Sequence, residues 1–193
     1  MCERDNVTLS FCALVMGHGV FGDVTLATDV NNDVTTRRLH QWLQTAFPNA
    51  LGYPGTSKYT RPFHATLLYI GDDPIDSNTI TCFENAINLD QTFHATVKGF
   101  KAVGDESSGL IIMSLDCPLM VGAMKDAYDA WETLSGEKPD ATFHGGYVMG
   151  LSPHVTIAFY ASQKDASDDL KRFYARSPNY GGGQLACNNF RVE

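Results

Sequence analysis

The sequence predicts an α+β fold in which two small, mostly antiparallel sheets carry helices packed outside them. Three observations point there. Short apolar runs rich in β-branched residues recur between glycine and proline breaks, as at residues 7–16 and 110–115. The runs at 92–103 and 110–115 flank a short turn at 104–109, so they form a hairpin and not a crossover. Between the strand-like runs lie stretches with apolar residues at helical spacing. At 193 residues the chain is long enough for one well-buried domain.

Taken in order, residues 7–16 read as a buried strand ending at Gly17-His18-Gly19, with a second short strand at 24–28. Asp33 suits the N-cap of a helix running to Phe47, with Leu39, Trp42 and Leu43 on its apolar stripe and Pro48 ending it. Residues 49–62 form a glycine-, proline- and tyrosine-rich loop that reads either as a ligand-covering segment or as a surface excursion. A strand follows at His64, then a helix from Asp76 or Ser77 to Leu89 with Ile80, Cys82, Phe83 and Ile87 inward. After the hairpin, Pro118 opens a helix over 117–134 whose inward positions are Leu119, Met120, Met124, Ala127, Tyr128, Trp131 and Leu134, and Gly136 closes it. A second long loop, 136–152, leads into a strand at His154; a helix at 165–176 and a strand at 185–192 complete the chain.

Composition bounds the function. A formal net charge of −8 disfavours a long-footprint nucleic-acid binder and leaves room for a small anionic ligand in a local basic pocket. No segment approaches the ~18 apolar residues of a membrane span, and the acidic N-terminus lacks a secretory pattern, so a cytoplasmic protein is expected. The five cysteines are scattered without CxxC spacing and read as free thiols. No HExxH, aspartate cluster, GxSxG elbow or phosphate-binding P-loop occurs, so neither a metal nor a cofactor is predicted.

The informative feature is a repeated sentence. Phe63-His64-Ala65-Thr66 and Pro153-His154-Val155-Thr156 each set a histidine and a threonine on one strand face, with Ala65, Leu67, Val155 and Ile157 on the other. Cleaving a phosphodiester without a metal needs a base, an acid and hydrogen-bond donors for the charge that builds on phosphorus. Two imidazoles supply the first pair, and two threonine hydroxyls supply donors.

The paired His-x-Thr strands resemble the signature of the two-histidine (2H) phosphoesterase superfamily, which includes RNA 2′,5′-ligase-like proteins and cyclic phosphodiesterases. The separation, 154 − 64 = 90 residues, suits one motif in each half of such a protein. The resemblance runs from about Val7 to Val192 and implies a bilobal fold with a central cleft and His64, Thr66, His154 and Thr156 as the catalytic set. Phe93-His94-Ala95-Thr96 is a third His-x-Thr. In the family layout the strand after the first motif does not carry the catalytic pair, so His94 is assigned to the scaffold.

The resemblance also implies a nucleotide substrate with a phosphodiester beside a ribose hydroxyl. Tyr53, Tyr59, Phe143 and Tyr147 are then candidates to stack a base, and Lys58, Arg61 and Lys138 to hold phosphate. His18 and His144 sit among glycines and are placed to line the pocket, while His40 reads as a surface residue. The expected activity is metal-independent cleavage of a cyclic or short oligonucleotide by a monomer, with no long nucleic acid and no membrane as partner. The phage nucleases that defeat CBASS immunity are the nearest functional branch, which would place the protein in a host cytoplasm. Two alternatives stay open: processing of 2′,3′-cyclic phosphate RNA ends, and a non-catalytic module that sequesters a nucleotide.

Overall fold

The computed structural model describes residues 18–71, 76–136, 142–143, 147–148 and 151–192. Among them are four helices and eight strands: β1 (His18–Leu26), α1 (Asn32–Ala46), β2 (His64–Gly71), α2 (Ser77–Ala86), β3 (Phe93–Gly104), β4 (Gly109–Asp116), α3 (Pro118–Ser135), β5 (Thr142–Phe143), β6 (Tyr147–Val148), β7 (His154–Tyr160), α4 (Gln163–Arg176) and β8 (Gln184–Val192).

The mixed helix-and-strand class is as the sequence predicts; the sheet arrangement differs. Instead of two sheets, six strands close into one antiparallel barrel in the order β1-β2-β7-β4-β3-β8, and β5 and β6 form a separate two-stranded pair. The β2–β7 junction is narrow, with Ala65 opposite Val155 as its one registered pair. Two three-stranded halves, β8-β1-β2 and β7-β4-β3, meet at this junction, and each brings one His-x-Thr strand to it. On the far side of the barrel the halves join again through β3 and β8, where Phe93–Thr96 pair with Cys187–Gln184.

Local chemistry explains the helix limits. Asn31, and not Asp33, caps α1 by accepting from the Val34 N–H at 3.0 Å; Asp33 lies in the first turn, where a carboxylate suits the helix dipole. Asp76 caps α2 at the Thr79 N–H, 2.8 Å away, but α2 ends at Ala86 because Ile87 turns to an extended conformation and goes into the core. In α3, Met120, Met124 and Ala127 are buried as expected, whereas Leu119 and Leu134 face solvent at 70% and 43% exposure. Ser162 caps α4, three residues ahead of the predicted start.

His18 and Gly19, expected at the end of a strand, open β1 instead, and Gly17 and the predicted strand at 7–16 lie outside the described residues. The glycines of β1 are sites of close approach. A Cβ on Gly22 would lie 2.5 Å from the ring of Phe190 on β8.

One face of the barrel sheet carries the main core. Ala65, Leu67, Val155 and Ile157 join Leu43 of α1, Phe83 of α2, Met120 and Met124 of α3 and Phe173 of α4. Full burial of such side chains contributes roughly 1.5–3 kcal/mol each. A smaller cluster of Tyr59, Leu110, Ile112 and Phe159 is separate from it. Asp169 of α4 is buried and accepts from Tyr160 of β7 at 2.8 Å, from the Asn49 side chain at 2.9 Å and from Arg172 at 3.0 Å. Burial alone would raise its pKa, but these hydrogen bonds outweigh it and hold the carboxyl below its ordinary value. Cys117 and Cys187 are buried free thiols, and burial, with Cys117 nearby, pushes Cys187 up to about 12. No helix among the described residues is long and apolar enough to cross a membrane.

Candidate active site

The site is built on the β2–β7 junction. Ala65 and Val155 are directly opposed and face the core. Continuing that register one residue each way sets His64 opposite Thr156 and Thr66 opposite His154. All four therefore share the other face, and all four are half-buried. Directly opposed side chains have Cβ atoms roughly 4.5–5.5 Å apart and diagonal ones about 7–8 Å, so the two imidazoles flank a gap with a threonine beside each.

The backbone fixes both rings in the same way. His64 Nδ1 lies 2.9 Å from the Pro62 carbonyl, and His154 Nδ1 lies 2.7 Å from the Ser152 carbonyl. A carbonyl only accepts, so Nδ1 carries the proton in both, and Nε2 is the basic nitrogen of each neutral ring. The residue two positions before the histidine does this in each copy, which gives the junction an approximate twofold relation. The Phe21 ring meets His64 edge-on at 5.4 Å, and the Arg61 guanidinium sits 4.4 Å above Phe21.

The two imidazoles differ in what flanks them. One cross-strand row runs Asp23, His64, Thr156, Ile112, Lys101; the next runs Phe21, Thr66, His154, Ser114, Gly99. A carboxylate thus lies at the His64 end and an ammonium at the β3 end. Loss of water around the ring lowers the His154 pKa below the ordinary imidazole value, and Lys101 pushes it the same way, against the Ser152 hydrogen bond.

Lys101 and Ser114 were missed by sequence reasoning. Strict alternation from Phe93 would turn residue 101 to the core, but a bulge between Val97 and Gly99 shifts the phase, so Phe100 is buried and Lys101 exposed. Gly99 adopts φ 148, a conformation that glycine tolerates. Ser114 was readable as the polar residue in an apolar strand. Its Oγ is buried with no hydrogen-bond partner among the described residues, an arrangement that costs about 1–3 kcal/mol.

In the 49–62 loop, both tyrosines expected to stack a base are buried. Tyr53 is buried in the main core, and its hydroxyl donates to the Phe47 carbonyl at 2.9 Å, so it holds α1 and does not face the histidines. Tyr59 is 1% exposed and stacks on Phe159 at 3.9 Å, which closes its face to a base. Lys58 lies 5.4 Å above the Tyr59 ring and is exposed. The loop is pinned to β7 by hydrogen bonds from Leu51 N–H to the Phe159 carbonyl and from Phe159 N–H to the Gly52 carbonyl. His40, expected at the surface, is half-buried and holds the Pro54 carbonyl at 2.6 Å. Tyr147 lies in β6 opposite Phe143, while His144 and Lys138 fall outside the described residues, as does the side chain of His18.

His94 takes no part in the junction. It is exposed on β3 opposite Ala186, across the barrel from β2 and β7, and Thr96 accepts from the Gln184 side chain at 2.9 Å. Among the described residues no three His, Cys, Asp or Glu side chains gather as metal ligands.

No protein-family model and no curated protein matches the chain. Among solved structures, it is similar to Usb1 of Kluyveromyces marxianus at 12% identity and a TM-score of 0.49, covering 89% of this chain and 91% of that one. A second structure, of Usb1 from the same organism with uridine monophosphate, matches at 13% identity and a TM-score of 0.47, covering 91% and 97%.

Proposed function

We propose that the protein is a metal-independent phosphodiesterase of the two-histidine type, acting as a cytoplasmic monomer on a cyclic or short oligonucleotide. One observation supports the reading: Ala65 opposes Val155 across the β2–β7 junction, so the flanking His-x-Thr residues share one face, and both imidazoles are held through Nδ1 by the carbonyl two residues earlier.

In this reading His154, which its surroundings keep neutral, is the base. Its Nε2 takes a proton from a ribose hydroxyl or water as that oxygen bonds to phosphorus. His64, as imidazolium, gives its Nε2 proton to the leaving oxygen as the other P–O bond breaks. Thr66 and Thr156 donate to the non-bridging oxygens, where charge builds. Arg61, beside Phe21, adds a cation at the β1 end of the site.

Incubation of the purified protein with a cyclic dinucleotide, 2′,5′-oligoadenylate and a nucleoside 2′,3′-cyclic phosphate, each with and without EDTA, tests this. Cleavage of at least one, unchanged by EDTA, is expected. Binding without turnover of any would overturn catalysis in favour of a sequestering module. Preference for the 2′,3′-cyclic phosphate would point to RNA-end processing.

A further inference from the structure

We infer that the cavity beside His154 is a subsite for a second phosphate and its nucleoside, so that the preferred substrate carries at least two phosphates. This deepens, and rests on, the reading of His64 and His154 as the catalytic pair.

The cavity measures about 460 Å³ and is lined in part by Lys101, Ser114 and Ser152. That is a small-ligand volume, larger than one phosphate requires. It adjoins the catalytic face: Ser114 is the residue opposite His154 on β4, and the Ser152 carbonyl holds the His154 ring. Its charges do not cancel. Lys98 is paired with Asp116 at 3.2 Å, which neutralises both, whereas Lys101 has no ion-pair partner among the described residues.

An ammonium lining this cavity, with no ion-pair partner among the described residues, suits an anionic oxygen, on a protein whose net charge of −8 otherwise repels anions. The remaining wall includes Pro118, Val121 and Leu151, an apolar surface for a sugar or base. A nucleoside cyclic phosphate has its single phosphate between the histidines and nothing anionic left for Lys101. A dinucleotide has a second phosphate one ribose away.

The test compares kcat/KM for a 5′-phosphorylated dinucleotide with that for a nucleoside 2′,3′-cyclic phosphate, in the wild type, Lys101→Glu and Val121→Trp. Changing Lys101 also alters His154, but this acts on both substrates and cancels in the ratio. The dinucleotide preference should fall about tenfold in Lys101→Glu, the worth of one charge-assisted contact, and should fall also in Val121→Trp, which fills the cavity. An unchanged ratio in both variants would overturn the subsite. If the wild type cleaves neither substrate, the catalytic reading fails separately. Equilibrium binding then decides: a preference for the dinucleotide over a nucleoside monophosphate that Lys101→Glu abolishes sustains the subsite, and no preference overturns it.

Discussion

Phe63-His64-Ala65-Thr66 and Phe93-His94-Ala95-Thr96 are the same four residues on two strands of one barrel. Their inward halves are equivalent: Phe63 and Ala65 are fully buried, and Phe93 and Ala95 are at most 1% exposed. Their outward halves are not. β2 borders β7, which offers Thr156 and His154 across the junction; β3 borders β8, which offers Ala186 and Gln184. The Pro62 carbonyl fixes the His64 ring, while His94 stands exposed. The difference lies in the neighbouring strand, and on the proposed reading a His-x-Thr serves as a site only where the ladder faces it with another.

Substitutions that treat the two copies alike should separate them. The largest contrast is expected at the histidines. His64→Ala should lower kcat about 10²- to 10⁴-fold, the usual worth of a positioned acid or base, whereas His94→Ala should leave turnover within about twofold. Equal losses from the two would break the distinction. Stability should show the opposite pattern, because Phe63→Ala and Phe93→Ala each leave a cavity and should each cost about 3–5 kcal/mol in denaturant unfolding. A cost confined to one copy would mean the scaffold is less symmetric than its burial indicates.

The threonines give a smaller contrast. Thr66→Val and Thr156→Val should each lower kcat roughly 10²-fold by removing one donor to the charged transition state, with the melting temperature nearly unchanged. Thr96→Val loses only its hydrogen bond with Gln184, so turnover should hold.

The smallest effect is on pH dependence. A base works when neutral, so the acidic limb of kcat/KM should fall below pH ~6.5, because the His154 pKa lies under the ordinary imidazole value. Lys101→Met removes a positive neighbour and should move that limb upward. A downward shift would contradict the assignment of His154.

Local features were legible in the sequence. A helix start at Asp76 or Ser77, Pro118 at a helix start, Gly136 at its end and the alternation that puts His64 with Thr66 each follow from a few adjacent residues. Closure of the barrel was not, because β1 pairs with β8 across 159 to 172 residues and no local signal reports that partner. The bulge at Val97/Gly99 hid Lys101 by changing the phase of alternation within a strand. The burial of Tyr53 and Tyr59 was not legible, because a glycine- and proline-rich loop reads as solvent-facing. Here Tyr53 reaches back to α1, while Tyr59 packs on β7.

The central claim is that His64 and His154 act as one unit across the β2–β7 junction. The kcat of His64→Ala, His154→Ala and the double variant on one phosphodiester substrate in EDTA tests it most directly. If the pair works together, each single change should cost nearly as much as both. Losses that multiply in the double variant, or a His154→Ala protein with wild-type turnover, would contradict it.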